Sequence, residues 1–349
     1  MPAGTRTRSA DALPDTMRVC RLEQAGRLAV VERPRPVPGP AEVLVRVAAV
    51  GVCGSDVHYF EHGRIGPFVV EHPLVLGHES AGTIVAVGDD VDAARIGRRV
   101  SIEPQRPCRR CDLCRRGSYN LCPRMEFYAT PPVDGAFAEY ALIESDFAHD
   151  VPDTVSDDAA ALVEPLSVAL WACRKAGIEA GGRLLVAGAG PIGIITAQVA
   201  RASGAAEVHV TDVSDGRLRT AAALGATHTH QAAELPADLD VDAFVDATGV
   251  PDAIRSGIGA VTPGGRAVLV GLGADSLDVP LELVQNREIW LTGVFRYANT
   301  WPQAIRLLSD RRVDLDALVT GRFGLDEVEA ALRSGSDPGS LKSVVEPWR

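Results

Sequence analysis

RLLVAGAGPIGIITAQVARASGA, residues 183–205, reads as a strand, a tight glycine turn and a helix. Its G-x-G-x-x-G fingerprint is Gly188, Gly190 and Gly193. The first glycine allows the turn, the second lets backbone approach a pyrophosphate, and the third lets helix and strand pack closely. The helix N-terminus then offers unpaired N–H groups and a positive dipole end to the phosphates. Alone the pattern is weak, but here it follows an apolar strand and opens a helix. Val208-His209-Val210-Thr211-Asp212 reads as the next strand, ending in an acid. Asp212 falls near the ~20-residue spacing of a carboxylate that accepts hydrogen bonds from the ribose of NAD. Arg217 blurs the choice, because an arginine there can attract the extra phosphate of NADP; the strand-tip position of Asp212 favours NAD.

The alternation continues downstream. A strand near Val241–Val245, a helix after Pro251, and strands in GGRAVLVGL (264–272) and IWLTGVF (289–295) predict a doubly wound parallel sheet. An amphipathic helix carrying Ile305, Leu307 and Leu308 follows, then short mixed elements.

The N-terminal half has a different rhythm. Prolines 34, 36, 38 and 40 form an extended connector, and residues 43–49 alternate as a period-2 strand that ends at Gly51-Val52-Cys53. Short strands separated by glycines recur around Thr83–Val87 and Val100, which predicts a partly antiparallel, barrel-like domain. Within it, Gly77-His78-Glu79 sets an imidazole beside a carboxylate at a glycine turn, and Cys53 can add a thiolate. Cys, His and carboxylate with one open position is the donor set of a catalytic zinc site. Ser55, His58 and Tyr59 follow Cys53 closely enough to reach the same pocket.

Cys108, Cys111, Cys114 and Cys122 follow C-x2-C-x2-C-x7-C. Four thiolates on one doubled-back loop match a closed, structural tetrahedral zinc site, with iron–sulfur ligation as the competing metal reading. Arg109, Arg110, Arg115 and Arg116 would offset the thiolate charge. Glu164, in ALVEPLSVALWACRKAG, is a carboxylate in an apolar stretch, costly to bury unless paired or metal-bound. Pro165 biases Glu164 away from helical geometry and suits the first turn of the helix that follows.

A chain of 349 residues suggests two domains. A formal charge of −11 disfavours nucleic acid and anionic membrane as partners. Residues 1–16 are polar and lack the apolar core of a secretory signal; they read as a disordered leader, with Met17 opening the first strand-like run. The expectation is a soluble, cytoplasmic protein.

Together these residues resemble the zinc-dependent medium-chain alcohol dehydrogenases, most closely the sorbitol and xylitol (polyol) dehydrogenase branch. The resemblance is carried by VGVCGSDVHYFEHGRIGPFVV, PLVLGHESAGTIVAVG, YNLCPRMEFYATPPVDGAFAEY, LVEPLSVALWACRKAG, GAGPIG and GVFRYANTWPQAI. It implies an α/β protein: a GroES-like, partly antiparallel β-barrel catalytic domain plus a Rossmann doubly wound parallel sheet. The catalytic domain would comprise 17–165 and a C-terminal return over 296–349, with 166–295 as the inserted NAD-binding domain. The resemblance matches Cys53, His78 and Glu79 to catalytic zinc ligands and Glu164 to a carboxylate that contacts the metal through water or replaces a ligand. Which of the two glutamates touches zinc directly stays open, with Glu79 preferred. Ser55 and His58 match a proton relay; Tyr59, Phe127, Glu164, Arg296 and Tyr297 match the substrate pocket. Ile192, Asp212, Arg217, Val270, Gly271, Leu272, Val294, Phe295 and Arg296 match cofactor contacts beside Gly188, Gly190 and Gly193.

The implied cofactors are NAD and two zinc ions per chain, one catalytic and one structural. The implied reaction is reversible oxidation of a secondary alcohol of a polyol to the ketose. Alternatives are a related zinc dehydrogenase acting on L-threonine, a sugar acid such as idonate or another secondary alcohol, and a non-catalytic binding protein on the same fold. The family is usually tetrameric or dimeric, so a homotetramer or homodimer is expected.

Overall fold

The computed structural model describes residues 8–9, 13–273, 276–337 and 339–349. Of the leader, residues 1–7 and 10–12 lie outside that set. Arg8–Ser9 runs antiparallel against Ala86–Val87, and the first long strand begins at Thr16.

The chain divides into two compact units, one made of 1–164 with 315–349 and the other of 165–314. The first is β-rich. Its main sheet is centred on strand Glu42–Gly51, which pairs antiparallel with Glu79–Val87, with Tyr140–Glu144 and with the C-terminal strand Lys342–Glu346. Among the described residues of this sheet, only the outer pairing of Val319–Gly324 with Lys342–Glu346 is parallel. The period-2 pattern of 43–49 explains the central position of its strand. Val43, Val45 and Val47 on one face and Leu44 on the other are all inaccessible to solvent, so both faces are covered.

The second unit carries a six-stranded, all-parallel sheet. Its order is His228–Gln231, Glu207–Asp212, Arg183–Ala187, Val241–Asp246, Val261–Leu269 and Trp290–Gly293. Numbered along the chain that is 3-2-1-4-5-6, the strand order of a dinucleotide-binding fold, whose ligands sit at the carboxyl ends of the strands.

Two boundaries differ from the sequence reading. The return to the first unit begins at Leu315, not at 296. Residues 296–314 are tied to the second unit by hydrogen bonds: Arg174 donates to the Asn299 carbonyl at 3.1 Å, and Gln198 donates to the Asp314 carbonyl at 3.0 Å and accepts from its N–H at 2.7 Å. Glu164 is helical, in Val163–Ala176. Pro165 is tolerated there because it stands in the first turn, where its missing N–H has no intrahelical acceptor to lose.

Candidate metal centres and cofactor site

Gly51 pairs directly with Glu79, so the residues following Gly51 meet the start of the neighbouring strand. A Cβ on Gly51 would lie 2.1 Å from Glu79 Oε2; glycine leaves room for the carboxylate. Gly77 has φ +88, a conformation that glycine adopts without strain, and it turns the chain so that His78 and Glu79 are both buried. Cys53 is the N-cap of helix Gly54–His62. One ligand atom from each of Cys53, His78 and Glu79 lies within 4.8 Å of the others. Glu164, 5% exposed, is not in that converging set.

Two buried charges hold the trio in shape. Asp56 is fully buried; its Oδ2 accepts from the Cys53 N–H at 3.0 Å and its Oδ1 from the Gly77 N–H at 2.9 Å. The same Oδ1 lies 3.6 Å from His78 Nδ1. Burial pushes the Asp56 carboxyl up, but His78 and the two N–H donors outweigh it and hold the group below its ordinary value. Burial likewise pulls His78 down, while Asp56 and Cys53 lift it well above an ordinary histidine.

Lys342 is the second charge. Its Nζ donates to Glu79 Oε1 at 2.6 Å and to the Val52 carbonyl at 2.8 Å. Burial opposes its charge, yet Glu79, Cys53 and Glu164 together hold its pKa above the usual lysine value. Glu79 Oε2 is left buried without a hydrogen-bond partner. A buried carboxylate oxygen in that state is costly, and a cation held with the Cys53 thiolate and the His78 imidazole would satisfy it. The donor set therefore fits a zinc ion with an open position.

The remaining expected residues are distributed around this trio or in the other unit. Phe127 is buried with its ring 5.7 Å from that of His78. Tyr59 is buried in helix Gly54–His62, Ser55 is half-buried in its first turn, and His58 is exposed with its ring 4.6 Å from His62. Arg296 and Tyr297 belong to the second unit. Arg296 takes φ +55 and lies 4.8 Å over the Phe295 ring, while Tyr297 packs 5.0 Å from Trp301.

Cys108, Cys111, Cys114 and Cys122 form the second converging group. Sulfur–sulfur distances are 3.4 Å for 111–114, 3.9 Å for 111–122 and 4.0 Å for 108–114. Four sulfurs placed ~2.3 Å from one zinc in a tetrahedron would stand ~3.8 Å apart, so the loop fits the ion. The arginine that reaches a sulfur is Arg124, 3.2 Å from Cys108, and its hydrogen bond draws that thiol down to about 5. Arg109, expected near the thiolates, pairs instead with Asp146 at 2.5 and 2.8 Å.

In the second unit a Cβ on Gly193 would lie 1.7 Å from the Gly188 carbonyl oxygen, which enforces glycine where helix meets turn. A Cβ on Gly190 would meet nothing within 4 Å, so backbone there faces open space, the cradle a pyrophosphate requires. Asp212 is fixed by backbone donors, Ala189 N–H at 2.7 Å to Oδ2 and Ser214 N–H at 2.9 Å to Oδ1. It lines a cavity of about 380 Å³ together with Gly188, Arg217, Thr248 and Val250. Ile192 is half-buried in the fingerprint helix. Val270 and Gly271 both donate to the Asp246 carbonyl, at 2.9 and 3.1 Å, and lead to exposed Leu272; Val294 donates to Leu269 at 2.9 Å and leads to exposed Phe295. These segments follow the C-terminal ends of parallel strands, where such folds bind ligands.

Asp56, Lys342 and Arg124 were not singled out from the sequence. Asp56 had a faint signal, an acid three residues after a ligand-type cysteine at a helix start. Lys342 had none beyond opening an apolar strand.

The alcohol dehydrogenase GroES-like domain matches residues 39–153, and the zinc-binding dehydrogenase domain matches 191–310. Sorbitol dehydrogenase of Gallus gallus is 44% identical over 336 residues, covering 93% of this chain and 95% of that protein. Sorbitol dehydrogenase of Bacillus subtilis is 40% identical over 331 residues, covering 92% and 94%. Among solved structures, an Escherichia coli alcohol dehydrogenase complexed with NADH superimposes with a TM-score of 0.90 at 28% identity, covering 95% of this chain and 100% of that one. With a converging Cys–His–Glu trio, a four-cysteine loop and a dinucleotide-binding sheet in one chain, these matches identify it as a member of the zinc-containing medium-chain alcohol dehydrogenase family, in its sorbitol dehydrogenase branch.

Proposed function

We propose that this protein oxidises a secondary alcohol of a sorbitol- or xylitol-like polyol to the ketose, reversibly, with NAD. The observation that carries the reading is the convergence of Cys53, His78 and Glu79 with Glu79 Oε2 unpartnered, in a chain 44% identical to a sorbitol dehydrogenase. When bound, zinc supplies Lewis acidity that lowers the pKa of an alcohol, and the dinucleotide supplies the hydride acceptor.

Cys53, His78 and Glu79 would hold the catalytic ion, with Glu164 contacting it through water. Asp56 orients His78, and Lys342 holds one oxygen of Glu79 so that the other is presented. Ser55 and His58 would carry the alcohol proton away. Tyr59, Phe127 and Glu164 would bind the polyol, and hydrogen bonds to neighbouring hydroxyls favour a polyol over a simple alcohol. Cys108, Cys111, Cys114 and Cys122 would hold the structural ion. Gly188, Gly190 and Gly193 would cradle the pyrophosphate and Asp212 would accept from the ribose hydroxyls, favouring NAD over NADP.

We further propose a cytoplasmic homotetramer or homodimer. No helix among the described residues is long and apolar enough to cross a membrane. The sheet's last strand, Trp290–Gly293, carries an exposed Trp290 and offers an edge for pairing between copies.

Initial rates with sorbitol, xylitol, ribitol, L-arabitol, L-idonate and L-threonine, each with NAD and with NADP, test the assignment. Polyols with NAD should be preferred; turnover of L-idonate or L-threonine without polyol activity would overturn the substrate class.

A further inference from the structure

The second unit carries another cluster of metal-type side chains, away from the fingerprint turn. Glu207 and His209 are two residues apart on strand Glu207–Asp212, so their side chains leave the same face. His228, on the sheet's edge strand, is the direct partner of His209 in the parallel register, and His230 lies two residues further along the same face. One ligand atom from each of Glu207, His209 and His228 lies within 4.8 Å of the others. The His209 ring stacks on His228 at 4.4 Å and on His230 at 5.3 Å.

The hydrogen bonds assign the nitrogens. His209 Nδ1 lies 3.0 Å from His230 Nε2, while His209 Nε2 faces Glu207 Oε2 at 3.2 Å. Thr227 Oγ1 lies 2.9 Å from His228 Nδ1, an outer partner for that nitrogen that leaves Nε2 for a metal. Each ligating ring thus has an outer partner on its other nitrogen, the arrangement that fixes tautomer and orientation in metal sites.

We infer that Glu207 Oε2, His209 Nε2 and His228 Nε2 form a third metal site, selective for a divalent transition-metal ion of the zinc or nickel type, with water completing the coordination. Two imidazoles and one carboxylate favour such ions over calcium or magnesium, which take oxygen ligands. His209 is buried and anchored by His230, whereas His228 is exposed and the Glu207 side chain is 46% exposed. Closure on the ion therefore asks only the two solvent-facing ligands to turn. The ion would clip the edge strand to the strand that ends in Asp212.

The test is equilibrium dialysis of tag-free, zinc-loaded enzyme against buffered free Zn²⁺, with metal counted by mass spectrometry. Wild type should take up one equivalent per chain beyond those of the two cysteine-containing sites, with a rise in Tm. His228→Asn and Glu207→Gln should each weaken that uptake by more than roughly tenfold, remove the Tm response and leave NAD-dependent activity unchanged. No extra equivalent in wild type, or the same uptake in wild type and both variants, would overturn the site and mark any binding as adventitious.

Discussion

Lys342 Nζ stands 2.6 Å from Glu79 Oε1, and neither side chain is more than 5% exposed. The two residues are 263 positions apart in the chain and are joined through the pairing of Lys342–Glu346 and Glu79–Val87 with the same central strand. Burying an ion pair is a weak route to stability, but breaking one strands the surviving charge. Lys342→Met should therefore cost about 3–5 kcal/mol of unfolding free energy, measured by denaturant titration. Adding Glu79→Gln should recover part of that loss. A Lys342→Met protein as stable as wild type would show that the pair carries no structural role.

Asp56 accepts from Cys53 and Gly77 and faces His78. Asp56→Asn keeps the shape and removes the charge. Losing the carboxylate behind a ligating histidine weakens metal binding by about 10–100-fold. Competition with a chromogenic chelator should find that loss at the catalytic ion and none at the cysteine loop.

Proton and metal compete for His78. In zinc-free protein Asp56 and Cys53 hold its pKa well above the ordinary value despite burial, so zinc must displace a proton at and below neutral pH. Affinity at this site should fall as pH drops below that raised pKa, by roughly tenfold per unit for each proton displaced. A zinc titration repeated across pH reads the slope; a flat profile would show His78 already neutral.

Much of this architecture was legible in advance. The fingerprint glycines and the regular alternation of strand and helix pointed to a parallel sheet, because each motif is local and its geometry is set by neighbouring residues. Cys53, His78 and Glu79 were legible as a donor set because their residue types are chemically narrow. Asp56 and Lys342 were hidden for the opposite reason: their roles depend on contacts between distant segments that only the sheet register creates. The return begins at Leu315 and not at 296 because hydrogen bonds from Arg174 and Gln198, with no composition change to mark them, tie 296–314 to the second unit. Pro165 biases Glu164 away from helical geometry because a proline disfavours helix before it, a bias that the first turn of Val163–Ala176 overrides.

Asp212 is anchored by two backbone N–H groups beside Arg217 in the same cavity. Asp212→Ser should raise KM for NAD and narrow the preference over NADP, because the repulsion of a 2′-phosphate is lost while Arg217 remains. Paired kcat/KM values for the two cofactors measure it. An unchanged ratio would move the discrimination elsewhere in the unit.

The proposed function makes polyol oxidation depend on the zinc ion that Cys53, His78 and Glu79 would hold. Its most direct measurement is the initial rate of NAD reduction with sorbitol and xylitol, before chelation, after removal of zinc from the catalytic site, and after zinc is restored. Activity should vanish with the ion and return with it, while the far-ultraviolet circular dichroism stays constant. Full turnover in protein whose catalytic site holds no metal would rule out a zinc-dependent reaction.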